Sequence, residues 1–181
     1  MENYDVIVCG AGSAGFCAAV AAARAIERLC DAKIDIKWVN DLYLNGRKVA
    51  GILAEGVLAP DGRLTAVVLG VGINVGEMTF PDELKSIATS LGNEGFALAR
   101  EDLAAAFLNE WERVYDATDP ADTTAEYRRR NLVLGRQVTV VRGSETSPAA
   151  AEAITDEGYL LVRTPDGEIH ELNSGEVSLR L

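Results

Sequence analysis

The sequence predicts an α+β protein: a mixed and mainly antiparallel sheet with flanking helices, followed by a small all-β domain. Three observations carry this. Apolar residues recur every three or four positions at Phe16, Val20, Ala23, Ile26 and Leu29, which is one face of a helix. Short apolar runs between Ile34 and Val75 are joined by tight turns, so hairpins replace a βαβ alternation. After Leu134 only short strands with Pro, Gly and Asp turns remain.

In chain order, Tyr4 to Cys9 is an apolar run ending at Gly10, the pattern of a buried strand. The helix over Ser13 to Cys30 draws its propensity from alanine. Ile34 to Val39 reads as a strand. Asn-Gly in "NGRK", Asn45 to Lys48, is a strong hairpin signal, and "APDGR", Ala59 to Arg63, is a second turn. Strands over Lys48 to Leu53 and Leu64 to Val71 flank them. Pro81 to Leu91 places Leu84, Ile87, Ala88 and Leu91 on one helical face, and Glu101 to Tyr115 does the same with Leu103, Phe107, Trp111 and Val114. "ATDPADTT" is a turn-rich linker, and Thr123 and Glu126 have capping-box spacing and open a further short helix. "RQVTVVRG", "GYLLVRTPDGEIHEL" and "EVSLRL" alternate as strands and suit a barrel of about five strands. The expected organisation is a leader strand and helix over 1–30 merging into an α+β domain over 31–130, then a small domain over 131–181.

Of the 181 residues, 48% are hydrophobic, enough for a sizeable core. The net charge of −11 argues against nucleic acid or an anionic membrane as a main partner, because phosphate contacts need a basic surface. Cys9, Cys17 and Cys30 match no metal-ligand spacing and read as reduced, mostly buried thiols of a cytoplasmic protein. "MENYD" lacks a basic n-region, and the apolar run Ala18 to Ala25 is broken by Arg24 and too short to span a bilayer. His170 sits between acidic neighbours and reads as a solvated strand residue. Arg128 to Arg130 reads as a solvated helix face, as do Glu110 and Glu112.

Two stretches carry chemistry. Gly10, Gly12 and Gly15 form G-x-G-x-x-G between a strand and a helix, the context in which such glycines approach a pyrophosphate. "YDVIVCGAGSAGFCAAVAAARA" resembles the opening of flavin-dependent oxidoreductases, which implies FAD or NAD. Against that, Asp35 lies near the start of "IDIKWV", where the ribose-binding acid belongs at a strand end, and later βαβ units are lacking.

The second stretch gathers Lys37, Asn40, Asp41, Arg47 and Lys48 onto two strands and their hairpin, beside "VLGVGINV". Side chains alternate along a strand, so Lys37 and Val39 share one face and Trp38 and Asn40 the other. This much charge on central strands points to a ligand. Two lysines suit phosphate or carboxylate oxygens, Asp41 suits Mg²⁺, and Gly70 and Gly72 expose bare backbone.

"KWVNDLYLNGRKVAGIL", "GVGINV", "PDELKSIATSL", "EYRRRNLVLGRQVTV" and "DGEIHELNSGEVSLR" together resemble biotin protein ligases (biotin–acetyl-CoA-carboxylase ligases), in family order and at family-like spacing. The resemblance covers Ala18 to Leu181, and the helix over Ser13 to Cys30 matches the alanine-rich helix ahead of the family's "KW.ND" strand. It implies a class II synthetase-like fold with an SH3-like barrel. It implies that biotin and ATP form biotinyl-5′-AMP, and that biotin then passes to a lysine of a biotin carboxyl carrier domain of acetyl-CoA carboxylase. Carried over by motif, Lys48 and Lys37 are catalytic; Lys48, Gly51 and Ile52 meet biotin; Asn40, Asp41, Gly70, Gly72, Asn74 and Arg180 meet the adenylate or its phosphates, with Asp41 on Mg²⁺. Two departures stand out. Val39 replaces a frequent Pro, and the family's arginine-rich "GRGR.GR" loop has no counterpart, so weak or absent ligation is expected of the chain alone. No helix-turn-helix pattern is present, so no DNA-binding role is expected. The residues leave two alternatives open: an FAD- or NAD-binding fragment, and a non-catalytic ligase remnant that dimerises through its sheet edge.

Overall fold

Asn45 and Gly46 both take positive φ, 51° and 78°, so β3 (Asp41–Leu44) and β4 (Arg47–Leu58) meet through the tight turn that Asn-Gly favours. The computed structural model describes residues 7–8, 13–117, 120–142, 145–173 and 176–179. β2 (Asp35–Lys37) pairs with β3, and β5 (Leu64–Ile73) runs beside β4. β1 (Ile7–Val8) pairs with β4 at Gly56 and Glu55. All these pairings are antiparallel. Two isolated bridges among the described residues, Ile36 to Asn131 and Lys48 to Ala88, are parallel.

One face of this sheet is covered by α1 (Ser13–Leu29), against which α2 (Arg100–Tyr115) and α3 (Pro120–Arg130) pack. Ala18, Ala22 and Ala25 are fully buried with Val20 and Ile26, so small side chains let α1 lie close to Ile36, Leu42, Val49 and Ile52 of the sheet. Burying Ile26 stabilises by roughly 2 kcal/mol or more, and its truncation to Ala would leave a cavity as well.

The C-terminal strands β6 (Gln137–Arg142), β7 (Glu145–Ile154), β8 (Leu160–Arg163), β9 (Ile169–Leu172) and β10 (Glu176–Leu179) form one antiparallel sheet in the order β10-β6-β7-β8-β9. Five strands match the expected number. Among the described residues no β9–β10 pairing closes the sheet into a barrel. Val138, Leu160 and Val162 join the same apolar cluster as Phe16 and Trp38, so the core runs unbroken beneath both sheets.

Several expectations are corrected. Pro81 to Leu91 is not a helix: after short turns at Pro81 to Ala88, the chain docks on Lys48 through Lys48 N to Ile87 O and Thr89 N to Lys48 O, both 2.8 Å. The supposed linker enters α3 at Pro120, a favoured first helical residue, and Thr123 and Thr124 are buried within it. Glu126 makes no capping box. It takes Arg24 Nη2 at 2.6 Å and Arg130 Nε at 2.7 Å. Arg130 also holds Glu27 at 2.8 Å and donates to Ile34 O at 3.0 Å, and Arg128 donates to Ile154 O at 2.7 Å, so two of the three arginines are structural. Glu110 is buried and paired with Arg28 and Arg113. The sheet does not support the flavin or nicotinamide alternative. Gly10 and Gly12 lie outside the described residues, and β1 joins an antiparallel sheet where a dinucleotide crevice needs a parallel one.

Cys17 and Cys30 are free and half-buried, and burial pushes the Cys17 thiol up to about 11. At Glu27, Glu94 and Glu126 burial also raises the pKa, but hydrogen bonds and charges from their arginine, threonine, asparagine and backbone partners outweigh it and hold each carboxyl below the usual carboxylate range. A depressed carboxyl stabilises the fold above its unfolded pKa and ceases to do so as pH falls through its folded pKa. Urea unfolding is therefore expected to give a constant midpoint from neutral pH down to the ordinary carboxylate value and a falling one below it. Glu126→Gln should cost about 3 kcal/mol at pH 7 and flatten the acid limb; an acid limb as steep as in the wild type would remove Glu126 from this account.

Candidate active site

Register places four residues in one row across the sheet. Lys37 on β2 faces Asp41 on β3, Asp41 faces Gly51 on β4, and Gly51 faces Gly72 on β5. Directly opposed residues share a face, so the row runs from a cation through a carboxylate to bare backbone. Lys48 joins this face through a bulge. It is three residues from Gly51, which in a regular strand would set it on the other side. The register shift opposite Leu42 and Tyr43 leaves Val49 as an extra residue, and Lys48 then stands opposite Tyr43 and beside Asp41. Its Nζ lies 2.6 Å from Asp41 Oδ1. A Cβ on Gly51 would sit 3.3 Å from Lys48 Cε and 3.4 Å from Asp41 Oδ1, so the missing side chain is the room this ion pair occupies.

These residues line a cleft of about 640 Å³. Its far wall is the segment that docks on Lys48. Asn74 fixes that wall, donating from Nδ2 to Thr89 O and accepting from Leu91 N, both at 2.9 Å. Glu94 braces it from outside, taking Arg47 Nη2 at 2.5 Å, Asn45 Nδ2 at 2.6 Å and Thr89 Oγ1 at 2.6 Å. Phe80, Leu84 and Ile87 give the wall an apolar surface. The cleft thus offers two cations and one carboxylate at one end and apolar and backbone surface at the other. That suits a ligand with an anionic group and an apolar body. Among the described residues no three His, Cys, Asp or Glu side chains are grouped to hold a metal.

Of the residues the sequence singled out, Lys37, Asp41, Lys48, Gly51, Gly72 and Asn74 meet in this cleft. Others stand apart. The Asn40 side chain donates to Ile52 O while its carbonyl accepts from Ile52 N, so it ties the β2–β3 turn to β4. Ile52 is buried in the core, and Gly70 lies one row further along, opposite Leu53. Arg180 falls outside the described residues. Gly15 is buried in α1. His170 is exposed on β9, 3.6 Å from Glu168. Sequence reading missed Tyr43, Phe80 and the segment Ser86 to Ala88. Period-two counting from Asp41 would have reached Tyr43. The wall rests on a bridge between residues 40 apart and left no local signal.

The model described as the biotin/lipoate A/B protein ligase family matches residues 7–74, and that of the biotin protein ligase C terminal domain matches residues 133–180. The biotin–[acetyl-CoA-carboxylase] ligase of Paracoccus denitrificans is 32% identical over 166 residues, which cover 87% of this chain and 69% of that protein. The chain belongs to the biotin protein ligase family. Bifunctional ligase/repressor BirA of Bacillus subtilis (strain 168) is 36% identical over 168 residues, 90% of this chain but 51% of that protein. The ligase-family chain thus spans about half the length of the Bacillus relatives it matches. The apo structure of biotin protein ligase from Aquifex aeolicus shares its fold with a TM-score of 0.78 at 26% identity, over 93% of this chain and 74% of that one. No helix among the described residues is long and apolar enough to cross a membrane.

Gly51→Ala tests the cleft directly. A methyl there must push the Lys48–Asp41 pair aside by a few tenths of an ångström. The unfolding free energy is expected to stay within about 1 kcal/mol of the wild type. Affinity for inorganic pyrophosphate by calorimetric titration should fall about tenfold, the loss of one charge-assisted contact. Equal affinity would show that the pair tolerates the methyl.

Proposed function

We propose that this cleft serves ATP-dependent activation of biotin and its transfer to a lysine of a biotin carboxyl carrier domain. The observation that carries the reading is the row Lys37–Asp41–Gly51–Gly72 with Lys48 turned into it. A solved biotin protein ligase of the same fold, from Aquifex aeolicus, is a complex with biotin and ATP, which supports the same pair of ligands here.

In the first step an oxygen of the biotin carboxylate attacks the α-phosphorus of ATP. The bond from that phosphorus to the β-phosphate bridge breaks, and pyrophosphate leaves with the electron pair. Carboxylate and triphosphate repel, so the ground state must be brought together by cations. Lys48 would hold the biotin carboxylate and the oxygen charge that grows on the adenylate, and Lys37 the phosphate oxygens. Gly51 and Gly72 would let the ligand lie on backbone, with Phe80, Leu84 and Ile87 covering its apolar parts. In the second step the carrier amine attacks the acyl carbon, the bond to AMP breaks, and the ammonium proton is lost to solvent.

Mg²⁺ fits this cleft only as an ion brought by the nucleotide. Among the described residues Asp41 is the sole carboxylate lining it, and Mg²⁺ is commonly held by one or two carboxylates plus substrate phosphates. Asp41 would hold it there, and the ion would neutralise phosphate charge.

A non-hydrolysable biotinyl-5′-adenylate analogue tests the reading. Lys48→Ala is expected to weaken its binding by about 10- to 100-fold, the range for hydrogen bonds to charged groups. Tight binding that survives the substitution would overturn the assignment.

A further inference from the structure

The turn between β2 and β3 holds Trp38, Val39 and Asn40, and each is fixed by a different part of the molecule. Trp38 Nε1 donates to Gly158 O at 3.0 Å, in the turn between β7 and β8. Tyr127 Oη, on α3, donates to Val39 O at 2.6 Å. Ile52 N, on β4, donates to Asn40 O at 3.1 Å. Directly before and after this turn stand Lys37 and Asp41, the charged end of the cleft. One indole therefore connects the C-terminal sheet to the segment from which both charges project.

Gly158 is poorly replaceable. Its φ is +88°, and a Cβ would lie 2.6 Å from the Phe16 ring. Its turn is closed by Gly158 N to Thr155 O at 3.1 Å and Thr155 N to Tyr159 O at 2.9 Å. Arg128 ties the same turn to α3 through Ile154 O and the Asp156 carboxylate, both at 2.7 Å. Trp38 is 3% exposed, so its N–H has no access to water as a substitute partner. If the C-terminal turn shifts, the indole must follow it or stay unpaired.

We infer that Trp38 is a positioning residue through which the C-terminal sheet sets the places of Lys37 and Asp41 for ligand. This rests on the ligase reading of the cleft. It gives the Trp38–Gly158 contact a role in binding that packing alone would not. Linkage then runs both ways: if the contact favours the ligand-ready cleft, ligand must favour the contact.

The test uses the full chain. It has two tryptophans, so Trp111→Phe identifies the Trp38 indole proton by NMR. A saturating biotinyl-5′-adenylate analogue should slow the exchange of that proton with solvent by about fivefold. Asp156 is highly exposed, so Asp156→Asn should leave the fold intact, speed the exchange and weaken the analogue about threefold. Lys37→Ala should reduce the slowing, which a purely structural indole would not register. Unchanged exchange at saturation overturns the coupling alone. No analogue binding, or binding indifferent to Lys48→Ala, overturns the reading of the cleft and the coupling with it.

Discussion

One extra residue in β4 decides the face on which Lys48 stands. Alternation along a regular strand would send Lys48 and Gly51 to opposite sides of the sheet. Val49 breaks the count once, and Val49 and Ala50 both turn into the core as a result. A bulge also frees backbone groups from the β3–β4 ladder, and they need partners. Val49 O accepts from Asn74 N at 2.9 Å, Lys48 N donates to Ile87 O, and Lys48 O accepts from Thr89 N. The irregularity that turns the lysine outward therefore recruits the end of β5 and the segment that becomes the cleft wall.

The helices reach the same site from the other face. α1 carries few large side chains, so its position depends on more than apolar area. Arg24, Glu27, Arg130 and Glu126 lock it to α3, and Arg28 and Glu110 lock it to α2. The pairs around Arg130 are largely buried, and such pairs add little net stability but are costly to break singly, so they select one arrangement of the helices. That arrangement matters beyond the core, because α3 carries Tyr127 to Val39 and Arg128 to the turn that holds Trp38. The order of the hydrophobic layer is thus transmitted to the polar one through one buried and one partly buried hydrogen bond.

What could be read in the sequence was local. Asn45-Gly46 fixed its hairpin because only positive φ at both residues suits the strand twist. The helical faces of α1 and α2 showed because their apolar residues repeat within one element. The cluster from Lys37 to Lys48 showed because two strands and a short turn bring it together without help from elsewhere. Features settled by distant partners did not show. Pro81 to Leu91 has a helical pattern, yet two hydrogen bonds to Lys48 pull it out of a helix, and Ile87 is left 55% exposed. Arg130 and Glu110 read as surface charges because one partner of each, Glu27 and Arg28, lies on another helix. β7 escaped notice because Pro148 and its alanines lack strand propensity; pairing on both sides makes it a strand. The glycine fingerprint misled for the same reason, since strand–turn–helix is a local pattern and the sheet it joins is not.

The chemistry asked of this cleft is limited by solvent. Lys48 is 43% exposed, and a cation so placed acts through a high effective dielectric. Near a protein surface a charge pair at 4 Å is worth roughly 4 kcal/mol, against about 1 kcal/mol in bulk water. Asp41 already uses part of that field, so an incoming carboxylate must compete with a partner at 2.6 Å. Competition of this kind favours ligands that bring more than charge. Phe80, Leu84 and Ile87 stand beside the ion pair with apolar surface still open to water. A ligand that covers them gains from their burial and also excludes water around Lys48, which strengthens the hold on its anionic end. The apolar wall and the lysine therefore act together, and a small anion lacking an apolar body would use only the weaker half of the site.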